Sequence, residues 1–269
     1  MIPRIGLRLS SLIASLVVVS AYTYCLAFSW LGYPGDSREE IATVLYWFFK
    51  HLIIGPFLKT IYRPWVEGAE NIPGSGPVII VGNHLSVIDS FFMPLMIDRR
   101  VYFLAKSDYF TGKGLKGRLV ASFMLAVGQL PIDRSGGKAS EASLNTGLSV
   151  LDRGEVLGIY PEGTRSPDAR LYRGRTGVAR LVLESGALVV PIVMIDTEKA
   201  MPIGVKIPKI RRIGTVIGQP LDFSRFAGMS ADRFVLRSVT DEIMLEIQKL
   251  SGQQYVDVYA SSVRNRATA

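Results

Sequence analysis

The sequence is poor in the residues that build disulfide frameworks and metal centres. It contains one cysteine, Cys25, and two histidines, His51 and His84, in 269 residues. A single cysteine excludes an internal disulfide and any metal site with several thiolate ligands. The two histidines are far apart in the chain, which is not the spacing of a structural zinc site. We therefore expect neither a metal nor a redox cofactor.

The N-terminal region lacks charge. No acidic or basic residue occurs between Arg8 and Asp36, and residues 12–31 read LIASLVVVSAYTYCLAFSWL. Twenty helical residues span about 30 Å, the thickness of a bilayer core. A cleaved signal peptide, suggested by Arg4 and Arg8, and a buried core helix are the alternatives. The length of the run and the lack of a small-x-small cleavage site favour a retained membrane segment.

A second apolar stretch, residues 41–62, carries two lysines and a histidine and is a less comfortable membrane span. Basic residues precede the first stretch and follow the second, whereas the link between them, GDSREE, is acidic. Positive flanks favour the cytoplasm, so we expect a membrane hairpin or two helices half-immersed from one side. Residues 1–62 then form a membrane anchor, and residues 65–269 lie in the cytoplasm, at the inner face of the plasma membrane.

The net charge of +8 and the pI near 9.6 are compatible with several classes of anionic partner. Nucleic acid, anionic lipid and phosphorylated small molecules are all attracted to a basic surface. No nucleic-acid-binding motif is present, and an apolar content of 48% with a mean hydropathy of +0.27 fits membrane contact better. We therefore expect membrane lipids, and no nucleic acid, among the partners.

From Val78 onward, short apolar runs alternate with segments of helical periodicity. We predict strands at residues 78–81, 101–105, 126–132, 156–160, 188–195 and 213–217. We predict helices at residues 86–96, 138–152, 175–185 and 231–250, the last with Ser230 as its N-cap. Continuous apolar strands alternating with helices are typical of a mostly parallel sheet buried on both faces. We assign residues 63–251 to one such α/β domain and residues 252–269 to a loose polar tail.

The stretch VGNHLSVIDS places His84 just beyond a predicted strand and Asp89 in the first turn of the next helix. This edge of an α/β sheet is where ligand sites form. The turn can fold the imidazole onto the carboxylate, which fixes the tautomer and stabilises the imidazolium. No G-x-S-x-G nucleophile motif occurs, so we interpret His84 as a base that acts directly on a substrate hydroxyl. A core histidine bonded to a neighbour is the alternative.

Three further segments each place a cation just beyond a predicted strand. They are FLAKSDYF with Lys106, QLPIDRSGG with Arg134 and YPEGTRS with Arg165. The two guanidinium groups suit a bidentate phosphate clamp, and Lys106 adds a point charge. Gly163 lets backbone N–H groups approach an anion. Taken singly, each cation is more often a solvated surface charge than a ligand, whereas together on one sheet edge they favour an anionic ligand.

These segments together resemble the glycerolipid acyltransferase family, specifically the 1-acylglycerol-3-phosphate acyltransferases. Four blocks occur in the family's order over residues 65–220: NHLSVID, GQLPIDR, YPEGTRS and VVPIVMI. The first and third form a highly specific pair, although the family often has Gln where this chain has Leu85. The resemblance implies an α/β fold with a membrane-docking helical N-terminus. It also implies acyl-CoA or acyl-carrier protein as the acyl donor, with no other cofactor.

The resemblance implies residue roles and a reaction. His84 is the base and Asp89 its partner. The residues that shape the acceptor site are Lys106, Arg134, Glu162, Gly163, Thr164 and Arg165. The implied reaction transfers an acyl chain to the sn-2 hydroxyl of lysophosphatidate and gives phosphatidate. The alternatives are transfer to glycerol-3-phosphate, to another lysophospholipid or to a glycolipid, and a non-catalytic membrane lipid-binding protein.

Overall fold

The computed structural model describes residues 43–132 and 138–268. The apolar stretch at residues 12–31 and Arg134 lie outside this range, so the predictions made for them stay predictions. The helices are α1 Thr43–Tyr62, α2 Asp89–Leu95, α3 Gly114–Ala126, α4 Lys138–Asp152, α5 Gly177–Ser185, α6 Thr197–Ala200, α7 Arg233–Ser251 and α8 Ala260–Thr268. The strands are β1 Trp65–Glu67, β2 Val78–Gly82, β3 Val101–Lys106, β4 Gln129–Ile132, β5 Val156–Ile159, β6 Leu171–Tyr172, β7 Leu188–Ile195, β8 Gly214–Ile217 and β9 Tyr255–Val256.

Seven strands form one sheet in the order β1-β8-β7-β2-β5-β3-β4. Strand β2 pairs in parallel with both β7 and β5, and β3 pairs in parallel with both β5 and β4. Strand β8 is antiparallel to β7, and β1 is parallel to β8, so one edge of the sheet is reversed. The predicted mostly parallel α/β sheet is thereby confirmed. Strands β6 and β9 pair in a separate parallel ribbon.

The central strand β2 is buried on both faces, which is why its sequence is a continuous apolar run. Ile79 and Val81 pack with residues of α4, α5 and α7 on one face of the sheet. Val78 and Ile80 pack with residues of α1 and α2 on the other face. Each fully buried aliphatic side chain contributes about 1.5–3 kcal/mol relative to an exposed one. This rigid central strand carries His84 just beyond its carboxyl end.

Prediction and structure agree closely for β7 and α4, whose bounds are those predicted. The strand predicted from residue 126 is shorter, because α3 continues to Ala126 and β4 begins at Gln129. Helix α3 has no counterpart among the predicted elements, since its sequence, GLKGRLVASFMLA, has no single apolar stripe. Its identity as a helix therefore depends on tertiary packing more than on periodicity.

Two predictions at the C-terminus are wrong. The N-cap of α7 is Asp232, whose carboxylate accepts hydrogen bonds from two backbone N–H groups of the first turn, and not Ser230. The segment from Gly252 onward is not a loose tail, because it contains β9 and α8. Its polar sequence gives no sign of this order, which comes from backbone pairing with β6 and from the fully buried Ala260.

Helix α1 contacts the domain along one side only. Tyr46, Phe49 and Tyr62 are buried, whereas Val44 and Leu52 are about two-thirds exposed, at 67% and 68%. By length and composition alone, this helix is long and apolar enough to cross a membrane. It therefore presents one apolar side to the protein and another to its surroundings.

Candidate active site

His84 and Asp89 meet beyond the carboxyl end of β2, as predicted. The imidazole Nδ1 lies 2.9 Å from Asp89 Oδ2. The same carboxylate oxygen accepts hydrogen bonds of 2.8 Å from the backbone N–H groups of Leu85 and Ser86. Asp89 is the first residue of α2 and is fully buried. Three N–H donors on one oxygen hold the carboxylate in place and stabilise its charge.

This arrangement determines the tautomer of His84. An ionised carboxylate is only an acceptor, so Nδ1 carries the proton and Nε2 is unprotonated in the neutral ring. Among the described residues Nε2 has no hydrogen-bond partner, and the side chain is 18% exposed. The basic nitrogen is therefore available to a hydroxyl group of a ligand.

Tyr160 forms one wall beside the imidazole. Its ring stacks on His84 with a centroid distance of 3.9 Å and an interplanar angle of 10°. The Tyr160 hydroxyl is bonded to Ser90 Oγ at 3.1 Å. Burial, and then the nearby charge of Asp89, raise the pKa of Tyr160 well above its ordinary value, so the phenol stays neutral. The stacked ring fixes the imidazole plane, a role that the sequence alone did not reveal.

Asn83 and Ser86 hold the loop around His84 from the other side. The Asn83 amide donates to Met194 O at 3.1 Å and accepts from Met194 N at 2.9 Å, which joins the end of β2 to β7. Ser86 Oγ donates to Met201 O at 2.7 Å and is fully buried. The Ser86 hydroxyl is therefore engaged in a hydrogen bond that holds the loop in place. Asn83 stands in the NHLSVID block, but nothing in the sequence indicates its link to β7.

Residues of the YPEGTRS block form hydrogen bonds with both the backbone N–H and the backbone carbonyl of His84. Glu162 Oε2 accepts from His84 N at 3.2 Å, and Glu162 Oε1 accepts from Tyr172 N at 2.8 Å. Ser166 N donates to His84 O at 2.7 Å. Glu162 is buried, and its burial raises the pKa of its carboxyl to about 7 against the opposing effect of the two backbone N–H groups. Glu162 thus shapes the site through the loop it supports.

The next three residues of that block face outward. Gly163 has a φ of +73°, a conformation that favours glycine, and its N–H donates to Tyr160 O at 3.0 Å. The backbone N–H groups of Thr164 and Arg165 have no acceptor among the described residues. The half-buried Arg165 side chain likewise has no hydrogen-bond or ion-pair partner there. These groups can donate to an anion without giving up an existing bond.

Lys106 lies at the end of β3, two strands from β2 in the sheet. Its ammonium pairs with Asp108 and is 57% exposed. Its predicted contact with an acceptor stays a prediction, as does that of Arg134. Within the described ranges, no cluster of three or more His, Cys, Asp or Glu side chains is arranged to hold a metal ion.

The fold and the site define the class of protein. Residues 63–195 match the family model described as Acyltransferase. The match covers just under half of the chain, and the predicted resemblance to the acyltransferases is confirmed for this domain. The matched region contains both the NHLSVID and the YPEGTRS blocks, and it ends with β7.

Individual relatives carry a more specific name. The chain is 26% identical over 207 residues to the chloroplastic 1-acyl-sn-glycerol-3-phosphate acyltransferase LPAT1 of Arabidopsis thaliana, covering 75% of this chain and 55% of that protein. It is 27% identical to the 1-acyl-sn-glycerol-3-phosphate acyltransferase of Bacillus subtilis, covering 70% of this chain and 88% of that protein. The chain thus spans about half the length of the plant relative. The crystal structure of a 1-acyl-sn-glycerophosphate acyltransferase from Thermotoga maritima shares the fold, with a TM-score of 0.63 and 22% identity. The likeness covers 89% of this chain and 92% of that chain.

Proposed function

We propose that this protein transfers an acyl chain from a thioester to the sn-2 hydroxyl of lysophosphatidate and so makes phosphatidate. The observation that carries the proposal is the His84–Asp89 pair, with a protonated Nδ1 bonded to the carboxylate and an unprotonated Nε2 open to a ligand. The names of the relatives support the acceptor. The donor is acyl-CoA or acyl-carrier protein.

The transfer is direct. His84 Nε2 takes the proton of the acceptor hydroxyl while the oxygen attacks the thioester carbonyl. The tetrahedral intermediate then expels the thiolate, which takes the proton from the imidazolium. Asp89 stabilises the imidazolium between these two events. The buried Ser86 hydroxyl, which donates to Met201 O, supports transfer without an acyl-enzyme.

Acceptor binding uses the outward-facing part of the YPEGTRS block. Arg165 offers a bidentate guanidinium, and the backbone N–H groups of Thr164 and Arg165 offer further donors to a phosphate. Lys106 adds positive charge at the end of β3, and the sequence predicts Arg134 at the same sheet edge. Binding the phosphate fixes the position of the hydroxyl, and this orientation lowers the barrier independently of the base.

A single assay tests the proposal against its alternatives. Purified protein is incubated with radiolabelled acyl-CoA or acyl-carrier protein and, in separate reactions, with lysophosphatidate, glycerol-3-phosphate, lysophosphatidylcholine or a glycolipid. We expect labelled phosphatidate from lysophosphatidate at the highest kcat/KM. A higher kcat/KM for another acceptor would change the assigned acceptor, whereas the acyl transfer itself would stay as proposed. No transfer to any acceptor contradicts an enzymatic function.

We also propose that the N-terminal region binds the membrane with the domain at its cytoplasmic face. The exposed apolar side of α1, with Val44, Leu52 and Phe57, supports contact with lipid. Carbonate extraction of cell membranes should leave the chain in the pellet, and protease added to sealed, right-side-out cells should not cleave the domain. Release into the supernatant, or cleavage from outside, would contradict the anchor or its orientation respectively.

A further inference from the structure

The α6–β8 loop, residues 201–213, exposes several aliphatic side chains. Its sequence is MPIGVKIPKIRRI. Ile207 and Ile210 are 75% and 71% exposed, and Ile203 and Val205 are exposed as well. Single exposed aliphatic residues are normal on a protein surface. Four of them within residues 203–210 form a patch, and an exposed apolar patch marks a surface that contacts a partner.

The same loop is basic. Its four cationic side chains are all exposed: Lys206, Lys209, Arg211 and Arg212. The loop has no acidic residue, and together with the preceding residues 196–200 it has five basic residues against two acidic ones, a net charge of +3. At an anionic bilayer, such cationic side chains reach the headgroups while the aliphatic groups between them enter the interface. The composition of the loop therefore suits an anionic lipid surface.

The backbone of the loop limits how deeply it can enter a bilayer. Val205 N donates to Pro202 O at 3.1 Å, and Lys209 N donates to Ala200 O at 2.7 Å, which closes the loop on itself. The residues between these bonds form neither a helix nor a strand. Irregular backbone is not tolerated in contact with the hydrocarbon core, because no water is present there to satisfy its polar groups. The loop is therefore suited to the headgroup region and not to the bilayer centre.

The first end of the loop lies beside the candidate active site. Met201 O accepts the hydrogen bond of Ser86 Oγ, in the turn that follows His84. The other end is at the same edge of the sheet, because β8 is antiparallel to β7 and its first residue, Gly214, pairs with Ile195 at the carboxyl end of β7. The α6–β8 loop therefore extends from the sheet edge that carries His84.

The second end of the loop lies next to the end of α1. Trp65 N, three residues beyond the last residue of α1, donates to Ile213 O at 3.0 Å. The buried side chains of Ile213 and Tyr62 belong to one apolar cluster, against which Leu58 of α1 also packs. The loop is thus adjacent to the helix for which contact with lipid is proposed above.

We infer that the α6–β8 loop is a membrane-binding element distinct from α1, which inserts Ile207 and Ile210 into the interface of an anionic bilayer. This inference goes beyond the proposed function and does not depend on which acceptor is acylated. It sets the sheet edge of His84 against the bilayer surface, so that a membrane lipid can reach the base without leaving the interface. An acidic protein would also complement the charge, but the exposed aliphatic side chains and the position beside α1 favour lipid.

The test places a fluorescent probe on the loop of the full chain. Cys25 is the only cysteine, so Cys25→Ser with Ile207→Cys allows an environment-sensitive fluorophore to be attached at position 207 alone. The labelled chain is reconstituted, without substrate, into vesicles of phosphatidylcholine with or without phosphatidylglycerol. Quenching by nitroxide-labelled lipid and the emission wavelength report contact of the probe with the bilayer.

Phe234→Cys in the same background gives the matched control. Phe234 is an apolar residue at the start of α7 and is 88% exposed. The other end of α7 lies near the active-site edge, where the Gln253 side chain accepts a bond from Asn83 at 2.9 Å. A helix of 19 residues spans about 28 Å, so Phe234 lies far from that edge. Both probes share the same N-terminal region, and only the first is on the loop.

In vesicles with phosphatidylglycerol we expect the probe at position 207 to be quenched and to emit at shorter wavelength, and the probe at position 234 to show neither change. Lys206→Gln and Lys209→Gln should each lower the ratio of membrane-bound to free loop by about fivefold, since one basic residue at an anionic surface contributes about that factor. Arg180→Gln, on the surface of α5 and paired with Glu184 in its own helix, should leave the ratio unchanged.

Several results would overturn the inference. These are no quenching at position 207, equal quenching at both positions, and quenching that does not depend on phosphatidylglycerol or on the two lysines. A response of the probe at position 207 only to added acyl-carrier protein would assign the loop to a protein partner. A response that grows with protein concentration in the absence of lipid would assign it to a second copy of the chain. Failure of the proposed function looks different, because a chain that acylates no acceptor would still show lipid contact at position 207.

Discussion

The two halves of the candidate site are built in opposite ways. The His84–Asp89 half is enclosed: Asp89 is fully buried, three N–H donors fix one of its oxygens, and Tyr160 stacks on the imidazole. The half formed by Thr164 and Arg165 is open, with half-buried side chains on a loop.

The two halves therefore make different contributions to catalysis, one to the chemical step and the other to acceptor binding. The enclosed half has its dipoles in place before the substrate arrives, so little reorganisation is needed when charge develops. The open half uses long side chains that lose rotamer freedom when they bind, so part of their interaction energy is offset by entropy. Changes in the first half should therefore lower kcat, and changes in the second should raise KM for the acceptor.

The largest effect is expected for His84→Ala. Without a base, turnover should fall by at least about 10²–10⁴-fold, the usual contribution of general-base catalysis. The imidazole is partly exposed and makes one hydrogen bond within the described part of the chain, so the variant should fold and bind membranes normally. Steady-state kinetics with a circular dichroism spectrum as a control measures both. Near-normal turnover in the folded variant would contradict the assignment of the base.

Asp89→Asn should have a smaller effect on turnover. The backbone N–H groups of Leu85 and Ser86 require an acceptor at the position of Oδ2, so the amide oxygen should take that place and His84 should keep its tautomer. The amide nitrogen then replaces Oδ1, which is buried without a partner among the described residues. Loss of the charge that stabilises the imidazolium should lower kcat by about ten- to hundredfold.

A double variant sharpens this prediction. If the two residues act as one unit, Asp89→Asn should add little to the loss seen in His84→Ala. A fall in kcat for Asp89→Asn alone that equals the His84→Ala loss would mean that the amide has turned its nitrogen toward the imidazole and selected the wrong tautomer.

Arg165→Ala tests the open half. Losing a charge-assisted contact with a phosphate costs about 1.5–3 kcal/mol, which is about ten- to hundredfold in affinity. We expect this loss in the KM of the acceptor, with a smaller change in the KM of the donor. Initial rates measured over a matrix of both substrate concentrations separate the two. An equal rise in both KM values would argue against a phosphate site at Arg165.

The enclosed half was the easier one to predict from the sequence. His84 and Asp89 lie close together in the chain, and their contact depends on one strand end and one helix start, both marked by apolar periodicity. The sheet was predictable for the same reason, since its buried strands are continuous apolar runs. In the open half, the Thr164 hydroxyl accepts a hydrogen bond from Arg264 of α8, the helix that follows β9. A two-stranded ribbon and a polar helix leave no periodic signal, so that contact could be found only in three dimensions.

Glu162 belongs to the YPEGTRS block and accepts a hydrogen bond from His84 N–H, so it connects the two halves. The pKa of its carboxyl predicts how the stability of the protein depends on pH. Burial raises the pKa of its carboxyl from 4.5 to about 7, so the folded protein holds this proton more tightly than the unfolded chain. The stabilising contribution of the protonated group is complete below about pH 4.5 and is lost as the pH rises through about 7. Urea unfolding over this range should show a lower free energy of unfolding at the upper end.

Glu162→Gln is the matched variant for that prediction. It should remove the pH dependence due to this group. Below about pH 4.5 it should lower stability by about 1–3 kcal/mol, because its amide nitrogen faces either His84 N–H or Tyr172 N–H and leaves one donor unsatisfied. This difference should shrink as the pH rises through about 7, since only the wild type loses stability there. An unchanged slope of stability against pH in this variant would show that another group titrates in the range.

Ser86→Ala should have the smallest effect on turnover, and it tests the direct-transfer mechanism. The Ser86 hydroxyl donates to Met201 O inside the domain, so its loss should cost about 1–3 kcal/mol of stability by leaving a buried carbonyl unsatisfied. The reaction needs no serine nucleophile, so kcat of the folded variant should stay within about threefold of the wild type. The critical measurement is a single turnover with labelled donor and no acceptor, in the wild type and in Ser86→Ala. Direct transfer predicts no labelled protein in either. A labelled wild-type adduct that passes its acyl group to added lysophosphatidate, and that is missing in Ser86→Ala, would replace direct transfer with an acyl-enzyme and would give the enclosed half a nucleophile as well as a base.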